Sequence, residues 1–541
     1  MSAQIIGVSH ETIGASLLLY PMLRQLRVAE IIDLHCPSCS EISVGVVVES
    51  IILSRLSQER VPMYKMADFC AHNGVGTMYS IDSVKMNDDR TGRALDAMNS
   101  SLEAIKASII VGVIKEFDLT VSEIHTDRRE GLALSPTNIL FSGCYEKIED
   151  GQLRVTYGHT KKGQDCRKKQ VNLSLSITDE SIPVWYDALD GNTGDNTCYV
   201  PHLEALENEL GITSPLVVGD SKLVSKNNMI AFCRASSYFI GPASVDKKEK
   251  ERLLKLWENG AYFVPLPIKE ISDGKILFWG METERKLTDK ERKRLYLIRY
   301  LYIFSHQRRE VIRHTRAKNF KKAKSALHKI IRCLNKYDYK TDDVINSRIK
   351  SYVTSKCPYY KVKLTKDRDG LFSITYSIDW KQLRYDEMFD GIYVLKSNCK
   401  KEEYPIIQVL GAYKGQCKVE CSFASIKGTP ISVEPVWLHK PERIESLLFI
   451  VFVGLLLMAL LEREARQKIQ PKRIPLRVEG RDKLPLTASV LLDSFSNLAI
   501  YTITQKVNGK IVITKQCSDL SDSQRYILWV LSFPTLNSFI R

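Results

Sequence analysis

The chain lacks an export signal: Met1 to Leu26 mixes polar and apolar residues, with no charged start leading into a long apolar core. It lacks a cysteine framework. Its 13 cysteines are scattered and odd in number, and the lone pair Cys36-Pro-Ser-Cys39 has no second Cys or His pair at zinc-ribbon or zinc-finger spacing. That argues against disulfides and structural zinc, and free thiols in a reducing cytosol are expected. It also lacks an apolar run long enough for a bilayer. Leu447 to Leu461 spans 15 residues (461 − 446 = 15), against the ~20 that a span needs. Glu442, Arg443 and Glu445 precede this run and Glu462-Arg463-Glu464 follow it, so a helix buried on all sides is expected, and no membrane. Acids, finally, are scarce between Arg308 and Lys336, where Glu310 stands alone among eleven Lys and Arg.

What is present points to a polyanion. The formal net charge is +15, and Lys and Arg that neutralise phosphates gain affinity by releasing counterions. Hydrophobic content of 44% and charged content of 26% are those of a folded soluble protein. A length of 541 residues implies two to four domains. From Arg308 to Lys336, apolar residues such as Val311, Ile312, Phe320, Leu327 and Ile331 recur near helical spacing among the cations. This predicts a basic amphipathic helix with a buried stripe, its charged face free to follow DNA phosphates.

Three carboxylates carry the chemistry. Leu216-Val217-Val218 has the pattern of a short buried strand, and Asp220 sits just past its end, where a carboxylate opens onto a loop. Ile124-His125-Thr126-Asp127 sets a second carboxylate in an earlier strand region; His125 is read as packing or polar support. The third, Glu420, lies in Tyr413-Lys-Gly-Gln416-Cys-Lys-Val-Glu420-Cys-Ser-Phe-Ala-Ser-Ile-Lys427. If that segment is helical, Tyr413, Gln416, Glu420 and Lys427 share one face, because side chains three, four and seven apart line up. A carboxylate that holds a divalent ion beside a lysine that meets phosphate oxygens suits metal-assisted chemistry on a phosphate. Cys417 and Cys421 flank Glu420 and are read as packing residues.

The Tyr413–Lys427 spacing resembles the signature of the DDE transposases of bacterial insertion sequences, in the branch named for Tyr-Arg-Glu-Lys around the catalytic glutamate. Gln416 stands where that branch has Arg. The resemblance extends to Asp220 as the second aspartate, to Asp190–Thr197, to Asn87–Arg90 through Asp96, and to Tyr157–Lys161, and so covers roughly Ile31 to Arg466. The first aspartate resembles Asp127, but only if eight residues, Arg128–Ser135 (135 − 127 = 8), are treated as an insertion before Pro136-Thr137. An alignment without the insertion puts Ser135 there.

The resemblance implies phosphoryl transfer at DNA ends. Asp127, Asp220 and Glu420 would hold two Mg²⁺ ions, with Mn²⁺ a substitute, while Tyr413 and Lys427 position phosphates. The implied partners are double-stranded DNA, both element ends and target, and a second copy in a homodimer, in the cytoplasm of a bacterium at its nucleoid. A carboxylate displaced by about 1 Å can cost on the order of 100-fold in rate. A decayed copy that only binds DNA and a structure-selective nuclease of the same fold are therefore the alternatives.

The implied fold is α/β: a ribonuclease H-like mixed sheet flanked by helices, from residues 111–235 and 405–466. Residues 1–110 read as a helical N-terminal domain, with helical spacing at Ile42–Leu56 and Asp88–Met98. Asp220 and Glu420 lie 200 positions apart (420 − 220 = 200), so 236–404 read as an insertion domain. It combines the basic helix with a β-rich part at Tyr359–Leu364 and Phe372–Ile378. Leu173–Ile177 alternates apolar and polar, as a half-buried strand does. Residues 467–541 carry strand signals at Tyr501–Gln505 and Lys510–Thr514 but no assigned role.

Overall fold

Helix starts in the N-terminal part follow their capping residues. In the computed structural model β1 (Ala3–Thr12) precedes helices α1 (Ser16–Leu26), α2 (Val28–His35), α3 (Val44–Leu56), α4 (Met66–His72), α5 (Val75–Tyr79), α6 (Asp88–Asn99) and α7 (Leu102–Glu116). The Ser43 hydroxyl accepts from the N–H of Val46 at the start of α3, and the Asn87 amide oxygen accepts from the N–H of Arg90 at the start of α6. Asp88 and Asp89 then complement the positive end of the α6 dipole. The two helices expected from sequence spacing are thus formed. The structure describes residues 3–57, 61–129, 153–157, 169–193, 197–267, 278–419, 421, 438, 440–469, 477–478, 481–482, 486–507 and 510–539. It divides into two units, residues 1–239 with 412–541, and residues 240–411.

In the first unit, α7 leads into a mixed sheet. Its strands are β2 (Glu123–Arg129), β3 (Thr156–Tyr157), β4 (Lys169–Thr178), β5 (Pro183–Asp190) and, after helix α8 (Tyr199–Asn208), β6 (Leu216–Val218). The order is β3-β4-β2-β6, with β5 also paired to β4. β2 is antiparallel to β4 and parallel to β6. The alternation in β4 predicted one wet face, yet Asn172, Ser174, Ser176 and Thr178 are all buried. His202 of α8 bonds the Ser174 and Ser176 hydroxyls, the Thr178 hydroxyl accepts from the Ile182 N–H and the Asn172 amide donates to the Asp190 and Gly191 carbonyls, which is why polar residues survive there. Helix α9 (Lys226–Arg234) and strand β7 (Tyr238–Ala243) carry the chain to the division between the units.

The second unit holds helix α10 (Lys247–Glu258), strands β8 (Val264–Leu266), β9 (Phe278–Asp289) and β10 (Arg294–Ser305), and a basic helix, His306–Cys333. A helix at Asp342–Ile349, the hairpin β11 (Tyr360–Lys366) and β12 (Phe372–Ile378), and β13 (Ile392–Ser397) follow. Leu253 of α10 packs on Met281, Tyr302 and Val394 of the sheet. The hairpin lies at the stretches that read as strand-like in the sequence. It closes a separate core of Ala323, Leu327, Ile330, Ile345, Ile349, Tyr360 and Phe372. The basic helix therefore buries its apolar stripe only over its C-terminal half; Val311, expected within the stripe, is 60% exposed.

Back in the first unit, the apolar run belongs to a 28-residue helix, Pro441–Lys468. It is long and apolar enough to cross a membrane, but 89% of its most apolar window is buried inside the protein, as expected for a core helix. Its Phe452 ring lies 4.8 Å from that of Tyr186 on β5. Arg443 grips Asp96 of α6 with two nitrogens at 2.7 and 2.6 Å, and Ser446 donates to the Leu95 carbonyl. The short pair β14 (Arg477–Val478) and β15 (Arg481–Asp482) precedes a helix at Ala488–Ser494 and the hairpin β16 (Ala499–Val507) and β17 (Lys510–Cys517). That hairpin extends β1 into a three-stranded sheet, a pairing no local signal announced. Leu456, at the centre of the core helix, is fully buried. Leu456→Ala is expected to lower the unfolding free energy by about 3 kcal/mol, through lost burial and the cavity left behind. Urea denaturation checks this, and an unshifted midpoint would count against the packing.

Candidate active site

The parallel register of β2 and β6 sets the geometry. Glu123 lies opposite Leu216 and His125 opposite Val218, an offset of 93 residues (216 − 123 = 93). The pairing ends at His125–Val218; Asp127 lies two residues further along β2, and Asp220 lies in the loop two residues past β6. On its other side Asp127 is paired with Leu175 of β4. The side chain of Asp127, and all of Glu420, Lys427, Ser135 and Pro136–Gly143, lie outside the described residues.

Asp220 is held by one of its two oxygens. The Tyr199 hydroxyl donates to Oδ1 at 2.8 Å, the Lys222 N–H donates to the same atom at 2.8 Å, and the N–H of Asp220 donates back to the Tyr199 hydroxyl at 3.1 Å. Oδ2 has no partner among the described residues. Burial, then the charge of Asp220, push the Tyr199 phenol well above its usual value, which keeps it a donor. Gly219 permits the contact, since a Cβ there would stand 2.8 Å from Tyr199 Cε1. A half-buried carboxylate with one oxygen fixed and one free has the hard, anionic character that a divalent cation takes. Among the described residues no three His, Cys, Asp or Glu side chains cluster as a metal site.

The glutamate segment reaches the same strand. Its first helix, Ile406–Gly415, ends in a tight turn in which the Gln416 N–H bonds to the Tyr413 carbonyl, and a short helical stretch resumes at Cys417–Val419. The helix that would set Tyr413, Gln416, Glu420 and Lys427 on one face is interrupted at Gln416. The cause is close packing: a Cβ on Gly415 would stand 2.8 Å from the buried His125 ring, and Gln416 Nε2 donates to the Thr126 carbonyl at 3.0 Å. The half-buried Tyr413 sits just before the turn. Cys417 and Cys421, expected to pack, are exposed instead; both line an open cleft of about 260 Å³ with Lys418, Met458, Arg463 and Arg466. Asn87 caps α6 and Asp96 grips Arg443, so this part of the Asn87–Asp96 segment is structural. Asp190 ends β5 and accepts from the Arg154 N–H. Gly194–Asn196 and Gly158–Lys161 are outside the described residues.

Behind the sheet lies a buried polar network. His202 Nε2 is 2.7 Å from Asp187 Oδ2 and 2.5 Å from the Ser174 hydroxyl, while Nδ1 is 2.8 Å from the Ser176 hydroxyl. Ser176 pairs with Thr126 at 2.8 Å. Lys106, itself buried, donates to the Tyr186 carbonyl and lies 3.7 Å from Asp187. Burial alone would raise the Asp187 carboxyl; the charge and hydrogen bond of His202, then Lys106 and the Trp185 indole, bring it down to about 2.

Residues 147–457 match the family model of the transposase DDE domain, 311 of 541 residues (457 − 146 = 311). The chain belongs to the DDE transposase family. Residues 9–111 match a second model, described as a domain of unknown function (DUF4277), and no curated protein matches the chain. The transposase match takes in Asp220 and the Tyr413–Lys427 segment and begins downstream of Asp127. Reading the transposase sequence overlooked Tyr199, His202, Asp187 and Lys106. The available signal was Tyr199-x-x-His202, two polar-tipped rings one turn apart on a helix face otherwise made of Leu203 and Leu206.

Because the folded Asp187 lies below its unfolded value near 3.9, its contribution to stability is complete above about pH 4 and is lost as pH falls towards 2. Asp187→Asn is expected to lose on the order of 2 kcal/mol at pH 7. Its stability should also fall less steeply than wild type between pH 4 and 2, as followed by urea unfolding across that range.

Proposed function

We propose that the chain is a transposase of the insertion-sequence type, in the Tyr-Arg-Glu-Lys branch, that cleaves and joins DNA ends. In this reading its β2–β6 region is a ribonuclease H-like sheet, and Asp127, Asp220 and Glu420 are the metal-binding carboxylates. The observation that supports the reading is the parallel β2–β6 pairing, which ends two residues before Asp127 on one strand and two residues before the half-free carboxylate of Asp220 on the other. The Gln416 amide adds support by tying the segment that leads to Glu420 onto Thr126, beside Asp127. Asp127 is preferred to Ser135 at the first position because the Ile124-His125 that precedes it also resembles the family pattern.

Two divalent ions, Mg²⁺ or Mn²⁺, when bound, supply Lewis-acid activation of water or a 3′-hydroxyl and neutralise the leaving oxygen. The protein's part is to hold the three carboxylates on rigid strands and a buttressed turn, so that little rearrangement is needed on reaching the transition state. Tyr413 and Lys427 then orient the phosphate. No side chain needs to act as a general base. Strand cleavage and joining at two ends call for two copies of the chain on one DNA complex.

Double-stranded DNA has a track ready on the basic helix. Arg316 is spent on Asp390, with contacts of 2.6 and 2.5 Å, which braces the helix within its own unit. Lys318, Lys322, Lys329 and Arg332 are exposed, fall on one face at spacings of four, seven and three, and have no acidic partner among the described residues. They line up over about 21 Å, at 1.5 Å per residue, a path suited to successive phosphates.

Two measurements test the function. Purified protein with Mn²⁺ is expected to nick a duplex carrying the ends that flank its own gene, and Asp220→Ala and Glu420→Ala are each expected to reduce nicking at least 1000-fold. Binding without nicking, with nicking restored by deleting Arg128–Ser135, would instead mark a decayed copy whose first strand the insertion interrupts. Nicking without joining would mark a nuclease. Replacing Lys318, Lys322, Lys329 and Arg332 with Ala is expected to flatten the slope of log binding constant against log salt by about three to four. An unchanged slope, read by fluorescence anisotropy, would exclude this helix from the DNA track.

A further inference from the structure

We infer that α8 is a clasp that aligns the two aspartates, with Tyr199 and His202 as its positioning residues. This rests on Asp127 and Asp220 being the metal-binding carboxylates. The two rings lie one turn apart on the buried face of α8; Tyr199 meets Asp220 in the loop after β6, and His202 meets Ser174 and Ser176 of β4. Tyr199 closes a two-way hydrogen-bonded clasp on Asp220: its O–H donates to Oδ1, and its oxygen accepts the Asp220 N–H. The clasp fixes the carboxylate's torsion and presents Oδ2. The sequence makes room for it with glycine at 219, where a methyl group would collide with the ring.

His202 acts on the other aspartate through β4. Its two nitrogens meet Ser174 and Ser176, the residues on either side of Leu175, and Leu175 is the partner of Asp127 across the ladder. Ser176 passes the contact to the Thr126 hydroxyl, one residue before Asp127. Asp187 holds the far side of the imidazole. His202, Ser174, Ser176 and Thr126 are all buried, which shields these contacts from water. One helix therefore sets both the facing of Asp220 and the height of β2 beside it. An outer partner that orients a metal-binding carboxylate typically changes metal affinity by about 10- to 100-fold.

The test measures Mn²⁺ binding to the full chain by electron paramagnetic resonance, independent of turnover, with thermal unfolding run alongside. Tyr199→Phe keeps the ring and removes the donor; Ser176→Ala cuts the link from His202 to Thr126; Asp220→Asn removes the carboxylate itself. The expected result is a Mn²⁺ dissociation constant raised about tenfold or more in Tyr199→Phe and by a smaller factor in Ser176→Ala. Melting of both should stay near wild type, and Asp220→Asn should abolish the site. If Asp220→Asn abolishes binding while both other variants bind as wild type does, the clasp is overturned and the site stands. If Asp220→Asn binds Mn²⁺ normally, the site reading fails and the clasp falls with it. Should Tyr199→Phe prove unstable, the Ser176→Ala constant decides, since an unshifted value there overturns the His202 arm.

Discussion

Parallel pairing between β2 and β6 runs towards Asp127 on one strand and towards Asp220, just past the end of the other, and it is fixed by backbone hydrogen bonds. A slip of one residue would turn every side chain of β2 to the opposite face of the sheet. Parallel strands need a crossover between them, and here the crossover holds β4, β5 and α8. The segment that creates the register therefore also supplies the layer that holds it.

That layer explains an otherwise unfavourable core. Thr126, Ser174, Ser176, His202 and Lys106 are buried where a sheet and a helix would ordinarily bury aliphatic side chains, with the half-buried Asp187 beside them. Each costs free energy to desolvate and is tolerable only with its hydrogen bonds made. Directional contacts specify one alignment of strands and helix, whereas apolar packing would accept small shifts. On the opposite side of β2 the constraint is steric: the buried His125 ring needs glycine at 415, and the turn at Gln416 follows from that approach.

The core helix Pro441–Lys468 ties distant parts of the first unit together. It meets β5 through Phe452 and α6 through Arg443 and Ser446, so the N-terminal helices share a hydrophobic core with the sheet. Its apolar surface all round reflects contact on every side within the protein. In the second unit, the basic helix buries Ala323, Leu327 and Ile330 on one face and keeps Lys318, Lys322, Lys329 and Arg332 exposed.

Much of this was legible in the chain itself. Alternation and helical spacing located α3, α6, the basic helix, β6 and the hairpin β11–β12, because those patterns are local. The Tyr413–Lys427 spacing and Asp220 brought the transposase family into view for the same reason. Other features depended on residues far apart in sequence. The polar face of β4 looked solvent-exposed until α8 covered it; the glutamate segment looked like one helix until His125 met Gly415. The pairing of β1 with β16, and the clasp of Tyr199 on Asp220, had no neighbouring pattern to announce them. Periodicity reports which face of an element is apolar, but what lies against that face is set by the fold, and here it decided which polar groups are buried and which carboxylate oxygen is free.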